Sequence, residues 1–217
     1  MTAHTLQRDG QDLYYEIHGS GPVLLLIHSY LCSSQMWAHE IETLSTDHRV
    51  IAVDLRGHGH SSPSKPHDLY DLVDDVIAVL DHAGIGCAVW CGLSIGGMIT
   101  MRAALRYPER VSAIILVDTD GMSEAPKIIF KHKALAVFTR LFGVKPVLSS
   151  IMKLMFGKHA RRNQPALMNT WRQALSQVHV PSMMRTLKAL DTRDDVMKTL
   201  ATIACPICII HGDEDTA

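Results

Sequence analysis

The chain has 217 residues, enough for one domain or for one domain with a large insertion, and a chain of this length buries roughly 70% of its unfolded surface. Apolar residues make up 47%, charged residues 20%, and the formal charge is −1. These values exclude a disordered chain and one that coats nucleic acid, while net charge alone names no partner.

The N-terminal stretch has no cationic region leading into an apolar run, and the longest apolar run, Val23 to Ile27, is too short to cross a bilayer. A cytoplasmic protein is expected. "YYEIH" suggests an antiparallel hairpin near the start. Apolar, β-branched runs then recur as "PVLLLIHS" (22–29), "RVIAVDL" (49–55), "CAVWCGL" (87–93), "VSAIILVD" (111–118) and "PICIIHG" (206–212). Between the second and third runs, Leu69, Leu72, Val73, Val76, Val79 and Leu80 share one helical face, with Asp71, Asp74 and Asp75 opposite and Gly84 and Gly86 as the stop. Apolar strands alternating with amphipathic helices predict an α/β fold, a mostly parallel sheet covered by helices on both faces.

The alternation breaks between about Met122 and Leu190, where helical pattern continues without a strand. The expected organisation is therefore a body of 1–121 and 191–217 carrying a helical insertion of 122–190. From Ala125 to Leu190 there are twelve Lys or Arg and no Asp or Glu, which leaves nine bases against all 22 acids in the rest of the chain. A basic insertion thus sits on an acidic body. The preferred reading is mutual attraction of the two with solvated basic tips; steering of an anionic substrate ranks second, and contact with an anionic membrane ranks last.

The five cysteines, Cys32, Cys87, Cys91, Cys205 and Cys208, are odd in number, and four lie in or beside apolar runs, which fits reduced thiols. "CPIC" (205–208) opens a β-branched run rather than a helix, so no redox or metal site is expected there. No cofactor, no metal and no nucleic-acid partner is expected.

"GLSIG" (92–96) places Ser94 between a strand and a helix. In such an elbow the serine is held strained above the sheet, small residues two before and two after let neighbouring backbone pass, and the following helix directs its N-terminus at developing negative charge. With this motif the chain resembles the α/β-hydrolase fold superfamily along its whole length. "LLLIHSYLCSS" is similar to the HG loop after the third strand, "DLRGHGHSS" (54–62) to the D-x-R-G-x-G-x-S turn, and "IIHGDEDTA" (209–217) to the G-x-x-D turn that supplies the triad acid. The resemblance implies a helical cap formed by 122–190, and an oxyanion hole from the backbone N–H groups of Ile95 and Tyr30. Ser29 stands where the loop usually has glycine, which loosens the expected placement of Tyr30. It also implies that Asp215 is the triad acid, with Glu214 and Asp213 as runners-up. Cys32 near the hole is expected to be a pocket-lining thiol, since no motif places a base for it.

The family's chain order is Ser, Asp, His. His28 belongs to the oxyanion loop, His58 and His60 to the family's surface turn, and His211 precedes the acid in its strand, so each reads as structural. The base is expected beyond residue 217, in a C-terminal strand and helix that the 217 residues lack, and the strand "CIIHG" is then expected as an exposed edge open to association. The expected function is a serine hydrolase of esters or lactones of a small molecule, with an anionic substrate as one option, inactive as the 217 residues alone. 3-Oxoadipate enol-lactonase-like activity is an enzyme alternative, and a non-catalytic ligand-binding relative is the alternative from another class.

Overall fold

The five apolar runs become five parallel strands in the structure, a computed structural model that describes residues 1–215. They are β3 (Val23–Ile27), β4 (Arg49–Val53), β5 (Ala88–Leu93), β6 (Val111–Val117) and β7 (Ile207–Ile210). The expected hairpin precedes them as β1 (Thr2–Arg8) and β2 (Gln11–His18), antiparallel to each other, with β2 antiparallel to β4. The sheet runs β1-β2-β4-β3-β5-β6-β7.

Alternate residues of each central strand point to opposite faces. Leu25, Ile27, Ile51, Val53 and Trp90 pack on α2 (Leu69–His82) and α3 (Ile95–Arg106), whereas Leu24, Leu26, Val50, Ala52 and Cys91 pack with Trp37 and with Ile41 of α1 (Ala38–Leu44). Both faces of the central strands are therefore apolar, which is why these runs show no alternation in the sequence. β7 lies at the sheet edge and all four of its residues are exposed.

α2 begins where Asp68 accepts hydrogen bonds from the Tyr70 and Asp71 amides while the Asp71 side chain bonds back to Asp68 N–H, a reciprocal cap. Gly84, at φ +70°, follows its end. One expectation for this helix needs correction. Asp75 is not on a solvated face; it is 3% exposed and accepts a bidentate pair from Arg56 (Nε 2.5 Å, Nη2 2.6 Å), with Arg8 at 3.3 Å. Burial raises its carboxyl above the usual range while Arg56 and Arg8 oppose that shift.

Between β6 and β7 come five helices and no strand: α4 (Pro126–Phe142), α5 (Leu148–Met155), α6 (Lys158–Asn163), α7 (Pro165–Ser176) and α8 (Val180–Asp191). They enclose a second core of Val144, Val147, Leu148, Ile151, Met152, Met168, Leu175 and Met183, which Leu31 of the loop after β3 also enters. Polar contacts fasten α8 to the body: Tyr30 Oη donates to Met183 O (2.9 Å), Ser64 N–H donates to Ser182 Oγ (3.0 Å), and Arg185 Nη1 donates to Ser64 O. The insertion is thus docked directly on the loop that follows β3.

Candidate active site

Ser94 leaves β5 at φ 53°, ψ −115° and starts α3, and its hydroxyl makes no helix-capping bond. Left-handed backbone of this kind is costly for a residue with a Cβ and persists only when its surroundings enforce it. Here two glycines do so. A Cβ on Gly92 would lie 2.1 Å from Gly96 C, and one on Gly96 would lie 2.3 Å from Ile27 O. The GxSxG spacing therefore records two backbone crossings around the serine. Thr119 Oγ1 donates to Ser94 O (2.7 Å) and further ties the elbow to the end of β6.

The Tyr30 and Ile95 amides donate in no turn, loop or cap hydrogen bond among the described residues. Tyr30 sits in a turn closed by Cys32 N–H to Ser29 O (3.1 Å), with Leu31 at φ +65°. Ser29, where the resemblance would place a glycine, is not left-handed; the left-handed residue of this turn is Leu31, held by packing into the insertion core. The Asp54 carboxylate braces the same region: Ser34 N–H donates to Oδ1 (2.6 Å) and His60 N–H donates to Oδ2 (2.8 Å), and a Cβ on Gly59 would fall 2.1 Å from Oδ2. The "DLRGHGHSS" turn is thereby a clamp between the loop after β3 and the loop after β4.

At the other end of the site, Leu93, Val117 and Ile210 are register partners, so Ser94, Asp118 and His211 emerge side by side from β5, β6 and β7. Asp118, at φ 40°, was not singled out by the sequence. Its Oδ1 accepts Gly212 N–H (2.8 Å) and lies 3.0 Å from His211 Nδ1. Asp215 N–H donates to Gly212 O (3.2 Å), closing the turn, and Asp215 Oδ2 is 4.0 Å from His211 Nδ1. Ligand atoms of Asp118, His211 and Asp215 all lie within 4.8 Å of one another, a spacing a cation could also use. Glu214 is turned to the insertion, where it accepts His159 N–H (3.1 Å), and Asp213 is exposed.

Of the histidines weighed from the sequence, His28, His58 and His60 are engaged away from Asp215, whereas His211 stays beside Asp118. His28 is fully buried, Nε2 accepts Leu55 N–H (3.0 Å) and Nδ1 lies 2.7 Å from Ser29 O, which fixes a neutral ring; burial lowers its pKa to about 4. His58 corrects the expectation of a surface turn: it is 6% exposed, its ring lies tilted against His28 with centroids 5.2 Å apart, and burial followed by His28 lowers its pKa to about 3. His60 is exposed, with Nδ1 3.4 Å from Asp54 Oδ2. His211 lies one residue past β7 rather than inside it. Cys32 is buried, donates to Tyr30 O (3.6 Å), and is pushed up to about 12 by burial, so its thiol stays protonated. "CPIC" leads into β7, not a helix, and all five cysteines are free.

A family model described as alpha/beta hydrolase fold matches residues 22–216. The chain belongs to that family. Among curated relatives of this α/β hydrolase, 3-oxoadipate enol-lactonase 2 of Acinetobacter baylyi is 30% identical over 215 residues, covering 97% of this chain and 79% of the relative. A pimeloyl-[acyl-carrier protein] methyl ester esterase of Vibrio campbellii is 37% identical over 212 residues, covering 94% and 80%. The enol-lactonase structure from Burkholderia xenovorans LB400 superposes with a TM-score of 0.89 at 26% identity, covering 97% and 81%. These relatives are esterases and enol-lactonases, which supports ester hydrolysis for this chain. No helix among the described residues is long and apolar enough to cross a membrane.

Proposed function

We propose that this α/β hydrolase is a serine hydrolase of small-molecule esters or lactones, with Ser94 as nucleophile and Asp215 as triad acid. The observation that carries the reading is the backbone of Ser94, strained at φ 53° between two glycine crossings, with a hydroxyl that caps nothing. A serine held in this way at the head of α3 serves attack on a carbonyl. The Ile95 and Tyr30 N–H groups would then receive the oxyanion of the tetrahedral intermediate, at the N-terminal end of the helix dipole. A histidine following Asp215 in the chain takes the Ser94 proton and returns it to the leaving alkoxide, and Asp215 holds that ring in the productive tautomer. Asp118 supports this arrangement by accepting Gly212 N–H at the root of the acid turn. The helical insertion acts as a cap, since its α8 is bonded to the hole-forming residue Tyr30.

A lactone or ester carrying a carboxylate suits the basic cap, and the enol-lactonase relatives make 3-oxoadipate enol-lactone a first substrate to assay. Under this reading, kcat/KM on anionic esters falls more steeply with salt than on neutral isosteres. Steady-state hydrolysis of a carboxylate-bearing and a neutral ester by protein extended past the acid turn tests the function: turnover lost in Ser94→Ala and in Asp215→Ala supports it. Turnover that survives Ser94→Ala removes it. The reading of a non-catalytic binder draws on one observation, that His28 and His58 are buried with depressed pKa values; saturable ligand binding without turnover by the extended protein would favour it.

A further inference from the structure

We infer that the outer face of α4 is a docking surface for an anionic lipid bilayer, with the helix lying flat in the headgroup region. The sequence alone ranks membrane contact last and does not resolve which apolar residues of the insertion turn inward. The structure separates them. Thr139 is fully buried, Leu135 packs on the insertion core, and His132 pairs with Asp191 at the end of α8 (2.6 Å), so this side faces the protein. The opposite side exposes Phe130 (75%), Val137 (61%) and Leu141 (71%), and Phe138 (43%) and Phe142 (63%) are exposed along its flank. Phe130, Ala134, Val137 and Leu141 recur at i, i+4, i+7 and i+11, which lines them up as one stripe, and the Phe138 and Phe142 rings sit 4.8 Å apart beside it.

Charge selects the occupant. At 100° per residue, Lys133 and Arg140 fall along one border of the stripe and Lys127 and Lys131 along the other, so that basic side chains flank an apolar centre on both sides. Among the described residues none of these four enters an ion pair, no Asp or Glu occurs from Ala125 to Leu190, and Glu124, the one acidic residue of the insertion, is paired with Arg193. An aromatic and aliphatic ridge bordered by cations, with no acidic residue on the helix, is the pattern of an interfacial helix: the apolar side chains enter the acyl boundary and the lysine stems reach up to lipid phosphates. A second copy of this chain would bring like charges together around the same ridge, which disfavours a symmetric dimer here. The surface lies outside the proposed catalytic residues, so the inference stands or falls apart from the hydrolase reading.

Co-sedimentation with vesicles of phosphatidylcholine alone and of phosphatidylcholine with phosphatidylglycerol tests it. Binding is expected to the anionic vesicles, weakened by raising ionic strength, and unaffected by Ser94→Ala. Each basic residue at an anionic surface contributes about a fivefold factor in affinity, so Lys127→Glu with Lys131→Glu should lower the partition coefficient by at least about twentyfold. Phe130→Ser with Leu141→Ser should lower it by about tenfold or more while the circular dichroism spectrum is kept. Absence of vesicle binding, or binding that both double variants leave intact, overturns the proposal. So does a concentration-dependent dimer, or retention by an acidic protein, that these variants abolish while lipid binding is absent.

Discussion

Gly96→Ala is the sharpest structural perturbation of the proposed site, because the added methyl has only backbone to meet. Its Cβ would lie 2.3 Å from Ile27 O, 2.9 Å from Ile27 C and 3.0 Å from His28 O. Real Cβ contacts below 3.0 Å essentially never occur, so the head of α3 and the end of β3 must separate by about 0.7 Å. That movement falls between the two proposed hole donors, since Ile95 precedes Gly96 and Tyr30 lies just past His28. Loss of alignment at one oxyanion donor costs about 10²–10³ in kcat, and overpacking of a close backbone contact costs roughly 1–3 kcal/mol in stability. Gly86→Ala is the control, because nothing lies within 4 Å of its Cβ. Ester hydrolysis by protein extended past the acid turn, with urea denaturation of each variant, reads both effects. Unchanged kcat and unchanged stability in Gly96→Ala would refute the claim that this crossing positions the hole.

Asp118→Asn should weaken the acid turn and lower kcat with little change in KM, since its carboxylate holds Gly212 N–H and faces His211; equal effects on both would mean that Asp118 touches substrate instead. The His28 and His58 pKa values are depressed to about 4 and about 3, so both rings stay neutral in the fold while the unfolded chain takes up protons below about 6.5. Their contribution is fully present above pH 6.5 and is lost as pH falls toward 4, at up to about 1.4 kcal/mol per pH unit for each ring. Urea denaturation across that window should show the loss, with a smaller slope in His58→Phe; an unchanged slope would contradict it. Asp75→Ala leaves the buried Arg56 guanidinium without its bidentate partner and should destabilise by about 3–5 kcal/mol, measured by the same denaturation.

The strands and the elbow were legible because local pattern sets them: β-branched runs of the right length, and a GxSxG between a strand and a helix. The parts that were not legible depend on partners distant in sequence. Asp75 falls on the polar side of its own helix by periodicity, yet Arg56, from a turn nineteen residues earlier, covers it. Asp118 follows a strand like any other terminal polar residue, and its role exists only because β7 pairs beside β6 and presents Gly212 N–H. His58 reads as a turn residue until His28 and Tyr30, from the end of β3 and the loop after it, pack against its ring. α4 is apolar on both sides, so periodicity could not say which side meets the body.

The central claim, that Ser94 is an activated nucleophile, is tested most directly by fluorophosphonate labelling followed by intact mass and peptide mapping. In protein extended past the acid turn, the account predicts a single phosphonyl adduct on Ser94, formed rapidly and lost in Ser94→Ala. An extended protein whose acid turn is followed by a histidine, and which still resists labelling at Ser94 while control serine hydrolases react, would contradict the account.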